Sequence, residues 1–161
     1  MTTTLTVEHT YDASVRRVAE MLADPTFRER VCDAQGASRR SVSIGGTPLQ
    51  VTIERVQPTA GVPAVASRFV SGEVVVHHHE VWSSETAAVV EITPAGGLAT
   101  IRGNTTLVEN AGRTTQTVHL SIKVSIPLVG GRIEALVQDL MRKAYRSEHE
   151  VGVAYLAEQG A

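Results

Sequence analysis

Apolar and polar residues alternate over residues 4–11. Leu5, Val7, His9 and Tyr11 fall on one side, and Thr4, Thr6, Glu8 and Thr10 on the other. A two-residue period sends successive side chains to opposite faces, so this stretch is a half-buried strand. His9 sits on the apolar side and reads as a core histidine with a satisfied nitrogen. Asp12 suits the N-cap of a helix over residues 13–23, with Val15, Val18, Ala19 and Leu22 inward. Asp24-Pro25 ends that helix and starts a second, with Asp24 as N-cap and Pro25 in the first helical position. Phe27 and Val31 anchor the second helix and Gly36 closes it. Strands are then expected over 38–44, 49–57, 73–83, 86–93, 98–109 and 113–126, joined by short turns such as Gly45-Gly46-Thr47-Pro48. Between them, residues 58–63 read as a loop, and 64–71 as either a helical turn or irregular chain.

From residue 127 to 156 the period changes. Ile133, Leu136, Val137, Leu140, Met141, Ala144, Val151 and Tyr155 recur at three- and four-residue spacing, opposite Arg132, Asp139, Arg142, Lys143, Arg146, Glu150 and Glu158. Pro127 suits a helix start, Gly130-Gly131 loosens the first turn, and Gly160 is a stop. Such a helix is roughly 42 Å long, more than twice the average, and must lie across a whole sheet to bury its stripe. Ser147 and Glu148 interrupt the stripe where apolar residues are due. They mark either a wetter end of the groove or a polar group facing a ligand.

The order is therefore strand, two short helices, six strands in a meander, and one long helix. A seven-stranded antiparallel sheet with one apolar face needs a cover, and only the last helix is large enough. The expected architecture is α+β: a curved seven-stranded antiparallel sheet wrapped around a long C-terminal helix, in a single domain spanning residues 1–161. This pattern resembles the helix-grip fold of the START-like (SRPBCC) superfamily. The phrases Val7-Glu8-His9-Thr10-Tyr11-Asp12-Ala13-Ser14, Asp24-Pro25-Thr26-Phe27, Glu80-Val81-Trp82 and Ser125-Ile126-Pro127-Leu128-Val129-Gly130-Gly131-Arg132-Ile133-Glu134 look closest to an actinobacterial domain family of unknown function within it. The resemblance implies binding of lipids, polyketides or other apolar molecules between sheet and helix, and in some members cyclase or hydrolase activity.

Composition narrows the partners. The 161 residues are 42% hydrophobic and 20% charged with a net charge of −2, the profile of a soluble globular chain. With no basic block and only 4% aromatics, nucleic acid is not an expected partner. Cys32 is the sole cysteine, so no intramolecular disulfide forms, and a reducing, cytoplasmic setting fits. The first nine residues show neither a charged region nor an apolar run, so no secretory leader is expected. No stretch of about 18 apolar residues is present, so no membrane span is expected.

Candidate chemistry concentrates in His77-His78-His79-Glu80-Val81-Trp82. Alternation puts His77 and His79 on one face. A metal there needs a third ligand, and Glu54, Glu91, His119 and His149 offer none at ligand spacing, so neither metal nor cofactor is expected. The face with Val74, Val76, His78, Glu80 and Trp82 is assigned to the concave side, because a buried indole finds a partner for its N–H there. Cys32 has no helix N-terminus to activate it as a nucleophile.

The candidate ligand-binding set is thus His78, Glu80, Trp82, Ile101, Leu120, Leu140, Met141, Ala144 and Glu148, around a cavity holding a small apolar or amphipathic molecule. A polyketide cyclase or aromatase-type enzyme using His78, Glu80 or Glu148 is the alternative. A protein-interaction module packed without a cavity is the third reading.

Overall fold

The computed structural model describes residues 2–58 and 72–160. The expected loop over 59–63 and the undecided segment 64–71 lie outside the described residues. The elements are β1 (Thr3–Tyr11), α1 (Val15–Leu22), α2 (Pro25–Ala34), β2 (Arg39–Gly45), β3 (Leu49–Pro58), β4 (Glu73–Ser84), β5 (Ala87–Pro94), β6 (Ala99–Asn110), β7 (Arg113–Val124) and α3 (Gly130–Glu158). Two starts differ from the sequence reading. Ser14, not Asp12, caps α1, its Oγ accepting from the Arg17 backbone N–H at 3.3 Å. The long helix begins at Gly130 rather than Pro127. Asp24 caps α2 as expected, accepting from the Thr26 N–H at 2.9 Å, with Pro25 next.

All neighbouring strands pair antiparallel in the order β1-β7-β6-β5-β4-β3-β2. Sequence neighbours β1 and β2 therefore form opposite edges of the sheet. The chain between them, α1 and α2, has to cross from one edge to the other. Gly103 marks a tight passage between β6 and β7. A Cβ there would lie 1.7 Å from the His119 carbonyl oxygen, so only glycine lets the two backbones approach this closely.

The long helix covers the concave face. Its inward line is Ile133, Val137, Met141, Tyr145, Glu148, Gly152 and Leu156, at three- and four-residue steps. Leu140 does not belong to it: the side chain is 48% exposed. The inward line includes a tyrosine, a glutamate and a glycine, which a search for apolar residues passes over, and Leu140 lies one residue, about 100° of helix, away from Met141. Buried Glu134 ties the start of α3 to both flanking strands, accepting from Thr3 Oγ1 at 2.9 Å and from the Val124 backbone N–H at 3.0 Å. Near the other end, a Cβ on Gly152 would meet Tyr11 Cε1 at 2.7 Å.

The apolar interior divides in two. One cluster, with Tyr11, Met21, Leu22, Phe27, Val31, Ile53, Trp82 and Leu156, lies under α1, α2 and the end of α3. The other, with Leu5, Val90, Ile92, Leu120, Ile122 and Tyr145, lies under the middle of α3.

Two substitutions test this placement. Gly152→Ala forces a methyl into the rigid, fully buried Tyr11 ring. That outweighs its gain in helix propensity and is expected to destabilise by about 1–3 kcal/mol. Leu140→Ala is expected to change stability by less than about 0.5 kcal/mol, as at other surface positions. Urea denaturation of both variants checks the helix phase; a large loss at Leu140 with none at Gly152 would rotate α3 relative to the sheet.

Candidate functional site

Strand alternation on β4 turns His78, Glu80 and Trp82 inward, and all three are buried. Glu80 is the hub. Arg28 on α2 grips it with two bonds, Nη2 to Oε1 at 2.7 Å and Nη1 to Oε2 at 3.0 Å. The Trp82 indole N–H donates to Oε1 at 2.9 Å. His78 Nε2 lies 2.7 Å from Oε2. A carboxylate can only accept, so that nitrogen carries the proton and donates. Burial by itself would raise the Glu80 pKa, but the Arg28 guanidinium and the His78 hydrogen bond outweigh it and hold the carboxyl well below its usual range. Arg28 also donates from Nε to the Leu22 carbonyl at 2.7 Å, so each of its three nitrogens has a partner. His78 is pushed down by burial, against the pull of Glu80, so it is neutral at neutral pH.

Beside this knot, at the seam between the two apolar clusters, is a cavity of about 30 Å³. Its walls come from four sides: Val31 and Cys32 on α2, Ile53 and Arg55 on β3, His78 and Ile92 on β4 and β5, and Met141, Ala144, Tyr145 and Glu148 on α3. Most of these residues are fully buried. Gln35, Met141 and Ala144 are only half-buried and mark the rim, between α2 and α3. The Gln35 side-chain amide donates to the Ala144 carbonyl at 3.0 Å across that rim.

The cavity wall is unusually rich in ionisable groups. Burial raises the Glu148 carboxyl, with Arg28 opposing and Glu80 reinforcing, to about 7. Burial also raises the Tyr145 hydroxyl and the Cys32 thiol, so both stay protonated at neutral pH. Arg55 is depressed by burial. A carboxyl poised near neutrality beside a phenol can exchange a proton with a bound molecule.

The sequence-derived candidates separate here. His78, Met141, Ala144 and Glu148 line the cavity, and Glu80 stands behind it. Trp82 instead edges a second, solvent-open cleft of about 330 Å³ between α1 and the ends of β3 and β4, against exposed side chains such as Arg16 and Glu20. Ile101 and Leu120 are packed in the cluster that includes Tyr145 and do not reach the cavity. Leu140 points outward.

His77 and His79 lie on the outer face, near Glu54 at 3.4 Å and Gln50 at 3.0 Å. Among the described residues, no three His, Cys, Asp or Glu side chains are grouped as a metal site requires. His9 stacks on His149 with ring centroids 4.7 Å apart, but its Nε2 is buried without a partner, unlike the satisfied core histidine expected. Sequence reading missed Arg28, Arg55 and Tyr145. Arg55 follows Val51 and Ile53 in strict alternation on the inward face of β3, which was the available signal.

A curved antiparallel sheet gripping one long helix around a central cavity is the START-like helix-grip fold. The chain belongs to the family described as "Protein of unknown function (DUF2505)", whose model matches residues 6–156. No curated protein matches it in sequence. Among solved structures it is similar to TTHA0849 from Thermus thermophilus, with a TM-score of 0.72 and 16% identity over 99% of this chain and 100% of that one. It is also similar to the ZhuI aromatase/cyclase from Streptomyces sp. R1128, with a TM-score of 0.74 and 9% identity over 100% of this chain and 97% of that one. A START superfamily protein from Mycobacterium smegmatis matches with a TM-score of 0.66 and 9% identity, over 97% of this chain and 98% of that one. At these identities the likeness is one of fold. No helix among the described residues is long and apolar enough to cross a membrane.

The raised Glu148 carboxyl makes stability depend on pH. Between its ordinary value of 4.5 and about 7, the folded chain keeps a proton that the unfolded chain has released, so this group's contribution falls as pH rises through that window. Glu148→Gln removes the effect. Relative to the parent, the variant is expected to gain up to about 3 kcal/mol between pH 4 and pH 8 in urea denaturation. A pH-independent difference would place the Glu148 carboxyl in the ordinary range.

Proposed function

We propose that the chain binds a small amphipathic molecule between the sheet and α3, with the molecule's polar group against the buried cluster and its apolar part toward the α2–α3 rim. The observation that carries this reading is the cavity wall itself. It places Arg55, His78, Tyr145 and Glu148 around one space, together with Val31, Ile53, Ile92 and Met141. Ligand sites are mostly apolar with a few convergent polar groups, and ionisable groups displaced from their ordinary behaviour collect at such sites.

The space of about 30 Å³ holds roughly two waters, far below the few hundred Å³ of a formed ligand pocket. Binding therefore requires the rim to open. Met141 has three rotatable bonds and adapts its shape easily. Gln35 holds the two helices at the rim with a single hydrogen bond.

An enzyme of the polyketide cyclase type is the second reading. Glu148 near neutrality beside Tyr145 favours it, since that pair can take a proton from one position of a bound molecule and return one elsewhere. Solved structures of the same fold include aromatase/cyclases.

Octanol serves as a neutral amphiphile to test binding. Trp82 is the sole tryptophan and is bonded to the knot behind the cavity, so its fluorescence should change saturably with one site per chain. Trp82 also edges the outer cleft, so Ala144→Phe supplies the discrimination. A ring at the rim should abolish binding with the protein still folded by circular dichroism. Saturable binding that survives Ala144→Phe would move the site to the outer cleft, and no saturable binding in the parent would favour a packed interaction module.

A further inference from the structure

Two guanidinium groups are buried between the sheet and the helices, and they differ in one respect. Arg28 is ion-paired with Glu80, and each of its three nitrogens donates to Glu80 or the Leu22 carbonyl. Arg55 is 7% exposed and lines the cavity, yet among the described residues no carboxylate lies within ion-pair distance and its Nε has no hydrogen-bond partner. A buried charge without a partner is among the costliest arrangements in a folded chain, so an unmatched one calls for an explanation. The groups that face Arg55 do not supply that partner. Glu80 is saturated by four donors, while His78, Cys32 and Tyr145 are neutral. Glu148 remains, and burial keeps it partly protonated at neutral pH.

We propose that the cavity is the head-group site for a monocarboxylate with an apolar remainder, whose carboxylate pairs with the Arg55 guanidinium. This rests on the binding reading above and names its ligand class. The fork of an arginine matches a carboxylate with two parallel bonds. A carboxylate is the smaller of the oxyanions that match this fork, so it requires less widening of a cavity of about 30 Å³ than a phosphate does. The site is also coupled to pH. As Glu148 loses its proton it becomes an internal counter-ion near Arg55, so carboxylate affinity falls as pH rises through neutrality.

The test compares octanoate, octanol and octyl phosphate by calorimetry with the intact chain at pH 6. Octanoate is expected to bind about tenfold or more tightly than octanol, the scale of one charge-assisted pair. Arg55→Met should erase that preference while octanol still binds. Its melting temperature should not fall, because the substitution removes an uncompensated charge. Arg55→Lys, which keeps the charge, should retain part of the preference and covers the case in which the methionine variant does not fold. Equal binding of octanol and octanoate, blocked by Ala144→Phe, overturns the carboxylate assignment and leaves the binding reading standing. Tighter binding of octyl phosphate than octanoate overturns it in favour of a phosphate head. Binding of none of the three removes the binding reading as well.

Discussion

A carboxylate beneath a helix needs a donor for each of its lone-pair directions, and Glu80 has four. Two come from Arg28 on α2, one from His78 and one from Trp82 on its own strand. This knot fixes where α2 sits on the sheet. The position of α2 in turn sets one wall of the cavity, through Val31, Cys32 and Gln35. Removing one partner from such a pair leaves the other charged and dry, which costs several kcal/mol, so the arrangement is cooperative.

The knot also explains why the interior is split. Apolar side chains pack above and below it, and the polar layer is the seam between them. Once a core contains one satisfied ion pair, further polar groups can gather beside it at less cost, because they meet dipoles instead of hydrocarbon. Arg55, Tyr145 and Glu148 occupy that position. Their environment then sets their chemistry: burial holds Tyr145 protonated, brings Glu148 to about 7 and depresses Arg55, whose Nε has no hydrogen-bond partner among the described residues. These properties support the reading of the cavity as a binding site for a molecule with polar and apolar ends.

Much of this was legible in the chain because the relevant periods are short. Alternation on β4 selected His78, Glu80 and Trp82 as one face, and the indole chose which face was inward. The interruption of the helical stripe at Ser147 and Glu148 pointed to a polar inward position, and Glu148 is buried there. The helix phase was read less well. Counting apolar residues favoured Leu140, whereas the inward line runs through Tyr145 and Gly152, and a glycine under a tyrosine ring leaves no apolar signal. Arg28 was hidden for another reason. Its partner is 52 residues away, and nothing in a ten-residue helix indicates that one arginine turns inward. Arg55 could have been found by extending the Val51 and Ile53 alternation one step.

The dependence of the architecture on the Arg28–Glu80 pair is open to direct measurement by a double-mutant cycle in urea. Arg28→Met and Glu80→Gln are each expected to cost about 3–5 kcal/mol, since each leaves a buried group unmatched. Combined, they should cost at least about 2 kcal/mol less than the two losses added together. Additivity within about 0.5 kcal/mol would contradict the account, because it would mean that the two groups do not depend on each other in the folded chain.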